Sequence, residues 1–190
     1  MFEVTFRIMV GRRGKTRFLK GNVMIKEILA LVKRWRKELA FEAGDVLEIG
    51  SYNVNGTIRD CFKDAKSYLG VDQQAGPDVD LVVDAKLLWT PGVLPKEQYD
   101  TVLCCEMLEH CSDPFRVVWG MASIVRTGGH MLITSPAYGF PVHRHPRDYF
   151  RFGEDTYRDI FFNGFQLLRL EQAVEQRTGY ACWCALGCRR

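Results

Sequence analysis

Acidic residues stand at or near the ends of four apolar segments that the sequence pattern predicts as β-strands: Glu48, Asp72, Asp84 and Glu106. In an open α/β sheet, ligands bind beyond the carboxyl ends of the strands. A carboxylate can accept hydrogen bonds from both hydroxyls of a ribose, whereas a collar of carboxylates would repel phosphate. The pattern therefore predicts a site for a ligand with a ribose, an adenine and a positive centre, but no phosphate.

The first of these segments leads into a turn at residues 50–56. A strand, a glycine turn and a helix in succession let the backbone approach a nucleotide closely. Tyr52 and Val54 occupy places where further glycines would accommodate a pyrophosphate. An NAD-binding site is therefore less well supported than a site for a ligand without phosphate.

Candidate proton acceptors follow the fourth and fifth predicted strands. His110 follows the fourth strand, and residues 135–152 form the only long irregular segment, which suggests a lid over the site. The alternative for His110 is a hydrogen-bonding group at the start of a helix. The alternative for the segment is a loop anchored by Tyr149 and Phe152.

The elements that position these residues alternate between strands and helices. We expect strands at residues 46–50, 68–72, 79–84, 99–105, 130–134, 165–173 and 179–187. We expect intervening helices at residues 56–62, 113–125 and 154–162. This alternation predicts a mainly parallel sheet with helices on both faces.

Length and composition indicate one globular domain. The chain has 190 residues, of which 47% are hydrophobic and 26% charged. No apolar run reaches the ~18–20 residues that cross a bilayer, and no secretory signal is evident, so we expect a cytoplasmic protein without a membrane span. Seven cysteines, many within apolar segments, favour reduced, packed thiols over a disulfide framework.

Positive charge is concentrated at the N-terminal end. Residues 1–40 have a net charge of +8 and the remaining 150 residues have −5. We expect a basic arm or hairpin at residues 1–21 and one domain at residues 22–190, with a leading helix at 22–42. The arm could bind RNA, DNA or another anionic surface. The alternative is a solvated helix face and a basic hairpin without a partner.

Several motifs together resemble the class I S-adenosylmethionine-dependent methyltransferases, in particular the type-11 group. The resemblance covers roughly residues 45–170. Residues 48–50 resemble the first motif of that family, residues 105–110 its E-x-L-E-H segment and residues 126–133 its R-P-G-G-x-L-x-I turn and strand. The resemblance implies a Rossmann-like, doubly wound, seven-stranded α/β sheet, mostly parallel with one antiparallel strand, and helices on both faces.

The loops are similar to those of one branch of this family. The first turn resembles a G-S-x-x-V-N-G variant, residues 76–80 a G-P-x-V-D segment, and residues 145–152 an H-P-x-D-Y-x-R-F segment. That branch is often associated with glycans or sugars. The likeness therefore extends from the strands into the loops that would surround a substrate.

The resemblance implies roles for individual residues. Asp72 corresponds to the ribose ligand, and Asp84 with Ala85 to the pair that contacts adenine. The implied cofactor-binding residues are Glu48, Gly50, Ser51, Tyr52, Asn55, Gly56, Asp72, Gln73, Asp84, Ala85, Glu106 and Met107. Residue type and position after the fourth and fifth predicted strands, rather than the resemblance, give the catalytic candidates His110, His145 and Asp148 and the substrate-binding candidates His143, Tyr149 and Arg151. Direct displacement at a sulfonium methyl requires no metal, and we expect none.

The sequence thus predicts methyl transfer from S-adenosylmethionine to an oxygen or nitrogen nucleophile. The absence of a sizeable insertion favours a small-molecule or sugar acceptor. The alternatives are an RNA or protein methyltransferase that docks through its basic arm, and a module that binds the cofactor without catalysis. The sequence does not determine the oligomeric state.

Overall fold

The computed structural model describes residues 23–54, 56–95, 98–144 and 146–190. The predicted basic arm, residues 1–21, lies outside the described residues, as do Asn55 and His145. The α-helices of the described chain are α1 (Val23–Leu39) and α2 (Pro114–Ile124). The strands are β1 (Asp45–Ile49), β2 (Ser67–Asp72), β3 (Leu81–Val82), β4 (Tyr99–Cys105), β5 (Val125–Pro136), β6 (Phe165–Val174) and β7 (Ala181–Arg189).

These strands form one seven-stranded sheet in the order β3-β2-β1-β4-β5-β7-β6. The pairs among β1 to β5 are parallel, and β7 is antiparallel to both β5 and β6. The chain runs outward from β1 to β3 and then returns to place β4 on the other side of β1. The strand order therefore reverses between β1 and β4, which is where α/β sheets bind ligands. The predicted fold, with one antiparallel strand, is confirmed.

Helices cover both faces of the sheet. On one face, Trp35 of α1 is fully buried in the same apolar cluster as Val46 of β1. On the other face, Met121 of α2 is buried with Leu47, the next residue along β1. Successive strand residues point to opposite faces, so β1 contacts both helical layers. Neither α-helix in the described part of the chain is long and apolar enough to cross a membrane.

The start of α2 follows from its sequence. Asp113 caps the helix by accepting a hydrogen bond from the backbone N–H of Arg116 (3.2 Å), and Pro114 occupies the first turn.

All seven cysteines of the chain are free thiols, and four of them are buried.

The helix in the connection after β1 is shorter than expected. The predicted helix at residues 56–62 is a single 3₁₀ turn, Ile58–Cys61, which Thr57 caps through a hydrogen bond to Arg59 N–H (3.1 Å). Ile58 and Cys61 are both buried in the cluster beneath α1. Residues three apart lie one above the other in a 3₁₀ turn, so this turn buries both side chains with very few residues.

Two strands differ in length from the prediction by more than one residue. The third strand is reduced to Leu81–Val82, because residues 76–80 turn sharply and Asp80 N–H bonds back to the carbonyl of Gly70 (2.8 Å). The fifth strand is longer than residues 130–134, since its pairing with β4 begins at Val125 and contains a bulge.

The predicted helix at residues 154–162 is a π-helical turn, Thr156–Phe161. The N–H of Phe162 donates to the carbonyl of Tyr157 (3.1 Å), which is the i→i+5 bond of a π-turn. Tyr157, Phe161 and Phe162 are all buried. The wider turn therefore directs three aromatic rings into the core. An α-helix over the same residues would direct a different combination of side chains inward.

Candidate functional site

The turn after β1 passes very close to the residues that follow β4. Gly50 has a φ of +80°, and a Cβ built on it would lie 2.7 Å from the side chain of Met107. Glycine alone accepts both this backbone conformation and this approach. The N–H groups of Gly50 and Ser51 donate to the carbonyl of Val71 (2.9 and 3.1 Å). The carboxyl ends of β1, β2 and β4 are thus held together around one glycine.

The segment at residues 76–80 braces the rest of this turn. The side-chain amide of Asn53 donates to Asp78 Oδ2 (2.8 Å). The ring of Tyr52 lies against Gly76, where an added Cβ would be 1.9 Å from a ring carbon. The two loop motifs of the sequence therefore form one unit, in which Gly76 makes room for the bulky residue that replaces a glycine in the first turn.

Asp72 and Asp84, the acids predicted to contact ribose and adenine, follow β2 and β3. Asp72 Oδ1 accepts from the N–H of Gln74 (2.9 Å). Asp84 caps the short helix Ala85–Leu87 by accepting from the N–H of Lys86 (2.9 Å). These local bonds fix the direction of both carboxylates at the sheet edge. The other predicted cofactor residues of these turns are Gln73, which is exposed, Ala85 and Gly56.

Glu48 lies buried beneath the first turn. It faces the same side of β1 as Val46, and its Oε2 accepts from the hydroxyl of Tyr68 (2.7 Å). Burial raises the pKa of Glu48 to about 7, although the Tyr68 hydroxyl and the Arg59 guanidinium act in the opposite direction. A buried acid below the turn can support the turn backbone or a bound ammonium.

Glu106, directly after β4, is held in an unusual conformation. Its φ is +51°, which is uncommon for a residue other than glycine. Its two carboxylate oxygens accept from Thr134 Oγ1 (2.9 Å) and Cys182 Sγ (3.0 Å). Burial and the neighbouring Glu109 raise the pKa of Glu106. Backbone strain of this kind is concentrated at functional sites. The two hydrogen bonds of Glu106 connect the end of β4 to β5 and β7.

A cluster of one glutamate and two histidines lies beside this strand end. Glu109 is fully buried, and its Oε1 lies 3.5 Å from the Nε2 atoms of both His110 and His143. The two imidazole rings are nearly perpendicular, with centroids 4.9 Å apart. Neither carboxylate oxygen of Glu109 has a hydrogen-bond partner among the residues that the structure describes. Burial raises the pKa of Glu109.

Each imidazole of the cluster is oriented through its other nitrogen. His110 Nδ1 lies 2.5 Å from the carbonyl of Arg147. His143 Nδ1 lies 3.3 Å from the carbonyl of Pro141 and 3.4 Å from Asp148 Oδ2. A carbonyl can only accept, so the proton of His110 resides on Nδ1 and its Nε2 faces Glu109.

The loop after β5 is held in shape by an ion pair. Arg151 donates to both carboxylate oxygens of Asp148 (2.5 and 2.8 Å) and to the carbonyls of Phe140 and Pro141 (3.2 and 2.8 Å). Asp148 also accepts from the backbone N–H of His143 (2.6 Å). Burial would raise the pKa of Asp148, but its hydrogen bonds to Arg151 and His143 outweigh burial and lower it. Asp148 and Arg151 therefore hold the loop in one conformation, and we call this pair the Asp148–Arg151 clamp.

The structure brings His110 and His143 together, although the sequence places them 33 residues apart. Glu109 joins them, and sequence reasoning assigned it no role. Its position beside His110 in the E-x-L-E-H segment was the available signal. Tyr149 is half exposed, and its N–H donates to the carbonyl of Glu109 (2.7 Å), which attaches the loop to this cluster. The predicted role of His145 lies outside the described residues.

Comparison with known families gives a match over most of the chain. Residues 21–185 match the family described as "Methyltransferase domain". The ubiquinone biosynthesis O-methyltransferase of Marinobacter nauticus is 40% identical over 52 residues. These residues are 27% of this chain, and the match spans only 19% of that relative.

Solved methyltransferase structures share the fold. The N-methyltransferase NodS from Bradyrhizobium japonicum WM9, in complex with S-adenosyl-L-homocysteine, has a TM-score of 0.67 and 15% identity over 88% of each chain. The magnesium protoporphyrin IX methyltransferase of Synechocystis PCC 6803, with the same ligand bound, has a TM-score of 0.65 and 16% identity over 88% of this chain and 84% of that one. At these identities the likeness establishes the fold.

Proposed function

The chain belongs to the methyltransferase-domain family, as the resemblance of its motifs predicted, and we propose that it transfers a methyl group from S-adenosylmethionine to an oxygen or nitrogen atom of a small-molecule acceptor. The observation that carries this proposal is the turn at Gly50, which packs against Met107 at the strand-order reversal. This turn presents backbone at the edge where Asp72 also ends its strand.

The cofactor is proposed to lie across the carboxyl ends of β1, β2 and β4. Asp72 would accept from the ribose hydroxyls, and Asp84 with Ala85 would contact the adenine. The methionine end would lie near Gly50, with Glu48 beneath the turn and Glu106 beyond it. The other contacts proposed for the cofactor come from Ser51, Tyr52, Asn55, Gly56, Gln73 and Met107.

Methyl transfer from a sulfonium is a direct displacement. The enzyme must hold the acceptor atom about 3 Å from the methyl carbon and exclude water. The loop after β5 suits this task, because the Asp148–Arg151 pair fixes its shape and Tyr149 attaches it to Glu109. Tyr149 would contact the acceptor, and Arg151 would position it indirectly by holding the loop in shape. His110, His145 and Asp148 remain the predicted catalytic residues, and the hydrogen bonds of Asp148 favour a positioning role.

A small acceptor is supported by the compact loops and by the names of similar proteins. The relative from Marinobacter nauticus is an O-methyltransferase of ubiquinone biosynthesis, and the Synechocystis neighbour acts on magnesium protoporphyrin IX. A sugar acceptor rests only on the loop motifs. The specific observation that favours an RNA acceptor is the +8 charge of residues 1–40.

The test is release of S-adenosylhomocysteine with three acceptor panels, namely small phenols and amines, free sugars, and mixed RNA. We expect turnover with the first panel and none with RNA. Turnover with RNA alone, reduced by charge reversal at Arg12, Arg13, Lys15 and Arg17, would favour the alternative. Cofactor binding without turnover on any panel would support a non-catalytic module.

A further inference from the structure

We propose that Glu109, His110 and His143 form a binding site for a divalent transition-metal ion at the acceptor side of the cofactor site. The sequence predicts that the reaction needs no metal, and this proposal departs from that expectation. The geometry of the three side chains is the basis for the proposal.

The distances match those around a shared ion. Both imidazole Nε2 atoms lie 3.5 Å from the same oxygen, Glu109 Oε1, and one ligand atom from each residue can be chosen so that all three lie within 4.8 Å. Zinc–nitrogen and zinc–oxygen bonds of about 2.0–2.2 Å at tetrahedral angles place neighbouring ligand atoms about 3.4 Å apart. A direct hydrogen bond between an imidazole and a carboxylate would instead be about 2.7–3.0 Å long.

The burial of Glu109 supplies a second, independent argument. Its side chain is 0% exposed, and both of its oxygens lack a hydrogen-bond partner among the described residues. A buried carboxylate without a partner destabilises the folded state, because it has lost its hydration without gaining a hydrogen bond or a counter-charge. A bound cation would satisfy this group and would explain why the fold retains it.

The surroundings of the two imidazoles support metal binding as well. The Arg147 carbonyl lies at His110 Nδ1, and the Pro141 carbonyl and Asp148 lie at His143 Nδ1. Metal-binding histidines commonly donate their second N–H to a carbonyl or carboxylate, which fixes the tautomer and turns the other nitrogen toward the ion. The Asp148–Arg151 clamp would therefore orient a ligand of the ion.

The ligand set indicates the kind of ion and its use. Two imidazoles and one carboxylate suit Zn²⁺, Fe²⁺ or Co²⁺ better than Mg²⁺ or Ca²⁺, which prefer oxygen ligands. Three protein ligands leave a coordination position for a water or an acceptor oxygen. Building on the proposed function, an acceptor hydroxyl bound there would lose its proton to solvent water. The new O–C bond would form as the S–C bond breaks, and the electron pair of the S–C bond would stay on sulfur, which becomes a neutral thioether.

The test is titration of the metal-depleted, full-length protein with Co²⁺, followed by visible absorption and by metal analysis after desalting. We expect one ion per chain, with the intense visible bands of a four-coordinate site, and displacement by Zn²⁺. Glu109→Gln, His110→Asn and His143→Asn should each weaken binding by at least about 100-fold. His130→Asn is the matched control, because His130 stacks on Phe41 away from the cluster, and it should bind Co²⁺ normally.

Several outcomes would overturn the proposal. These are the absence of stoichiometric binding in the wild type, equal binding in all four variants, and thiolate-to-Co²⁺ charge-transfer bands, which would indicate a cysteine site. Stabilisation by S-adenosylhomocysteine, measured in parallel, shows whether each variant is folded. It also separates the two hypotheses, because loss of that stabilisation in the wild type would contradict the proposed function and leave the metal site standing.

Discussion

Gly50 and Met107 meet at the carboxyl edge of the sheet, with room for no atom between the glycine Cα and the methionine side chain. A Cβ on Gly50 would lie 2.7 Å from Met107. The contact joins the turn after β1 to the residues after β4, on the two sides of the strand-order reversal. It thereby defines the floor of the proposed cofactor site.

This contact predicts the effect of Gly50→Ala. The substitution should lower stability by more than the ~1–2 kcal/mol that a left-handed backbone costs an L-residue, because Met107 must also move. The matched control is Gly92→Ala. Gly92 has the same φ of +80° but no atom within 4 Å of a built Cβ, so it reports backbone strain alone. Thermal unfolding of both variants, with S-adenosylhomocysteine titration, checks the prediction, and equal losses in the two would contradict it.

The Asp148–Arg151 clamp makes a prediction of its own. The two side chains are 2% and 15% exposed. Asp148→Ala should destabilise the protein by about 3 kcal/mol, because it leaves a largely buried guanidinium without a counter-charge. The double variant Asp148→Ala/Arg151→Ala should be less destabilised than the single one, since removal of both partners leaves no unpaired charge.

The exposed pair of Glu154 and Arg158 is the control for the clamp. Glu154→Ala should change stability by less than about 0.5 kcal/mol. Cofactor affinity should be unchanged in every one of these variants. If Asp148→Ala keeps wild-type stability while turnover falls by about 10²–10⁴-fold, Asp148 is the proton acceptor and the clamp interpretation is wrong.

Much of the fold could be predicted from the sequence. The bounds of β4 agree with the prediction, and α2 starts one residue after the Asp113 cap. Both follow from local signals, an apolar run and a capping residue followed by proline. The π-turn that contains Tyr157 could not be predicted in this way, because its rings pack against residues that are distant in the sequence: Tyr157 against Trp183 and Phe161 against Phe115.

The same distinction applies to the site. The turn at Gly50 and the acids at the strand ends could be predicted from the sequence, because each directly follows or ends an apolar segment. The partnership of Glu109 with His143 does not, because it depends on how the loop after β5 folds back onto β4. Asp148 was predicted as a catalytic group from its residue type, whereas its hydrogen bonds depend on where Arg151 lies in three dimensions.

Glu48 predicts a pH dependence of stability in the absence of ligand. Its pKa rises from 4.5 to about 7 on folding, chiefly through burial. Between these values the folded state retains a proton that the unfolded state has lost, so this contribution to stability decreases as pH rises toward 7. Glu48→Gln removes the titration, and its stability relative to wild type should increase by roughly 2–3 kcal/mol between pH 5 and pH 8.

Denaturant unfolding of both proteins at several pH values measures this difference. Glu42→Gln is the control for loss of a surface carboxylate, since Glu42 is exposed in the segment before β1. Its effect should stay within about 0.5 kcal/mol. A stability difference between Glu48→Gln and wild type that does not change with pH would mean that Glu48 is ionised in the folded state throughout this range.

The measurement that most directly tests the central claim is calorimetric titration of the protein with S-adenosylhomocysteine. We predict one molecule bound per chain, no binding of NAD, and an affinity about 10- to 100-fold lower in Asp72→Ala, which loses hydrogen bonds from the ribose to a charged acceptor. Asp60→Ala, at an exposed aspartate paired with Lys63, should bind like wild type. Absence of binding in the wild type, or equal affinities in the two variants, would contradict a cofactor site centred on Gly50 and Asp72.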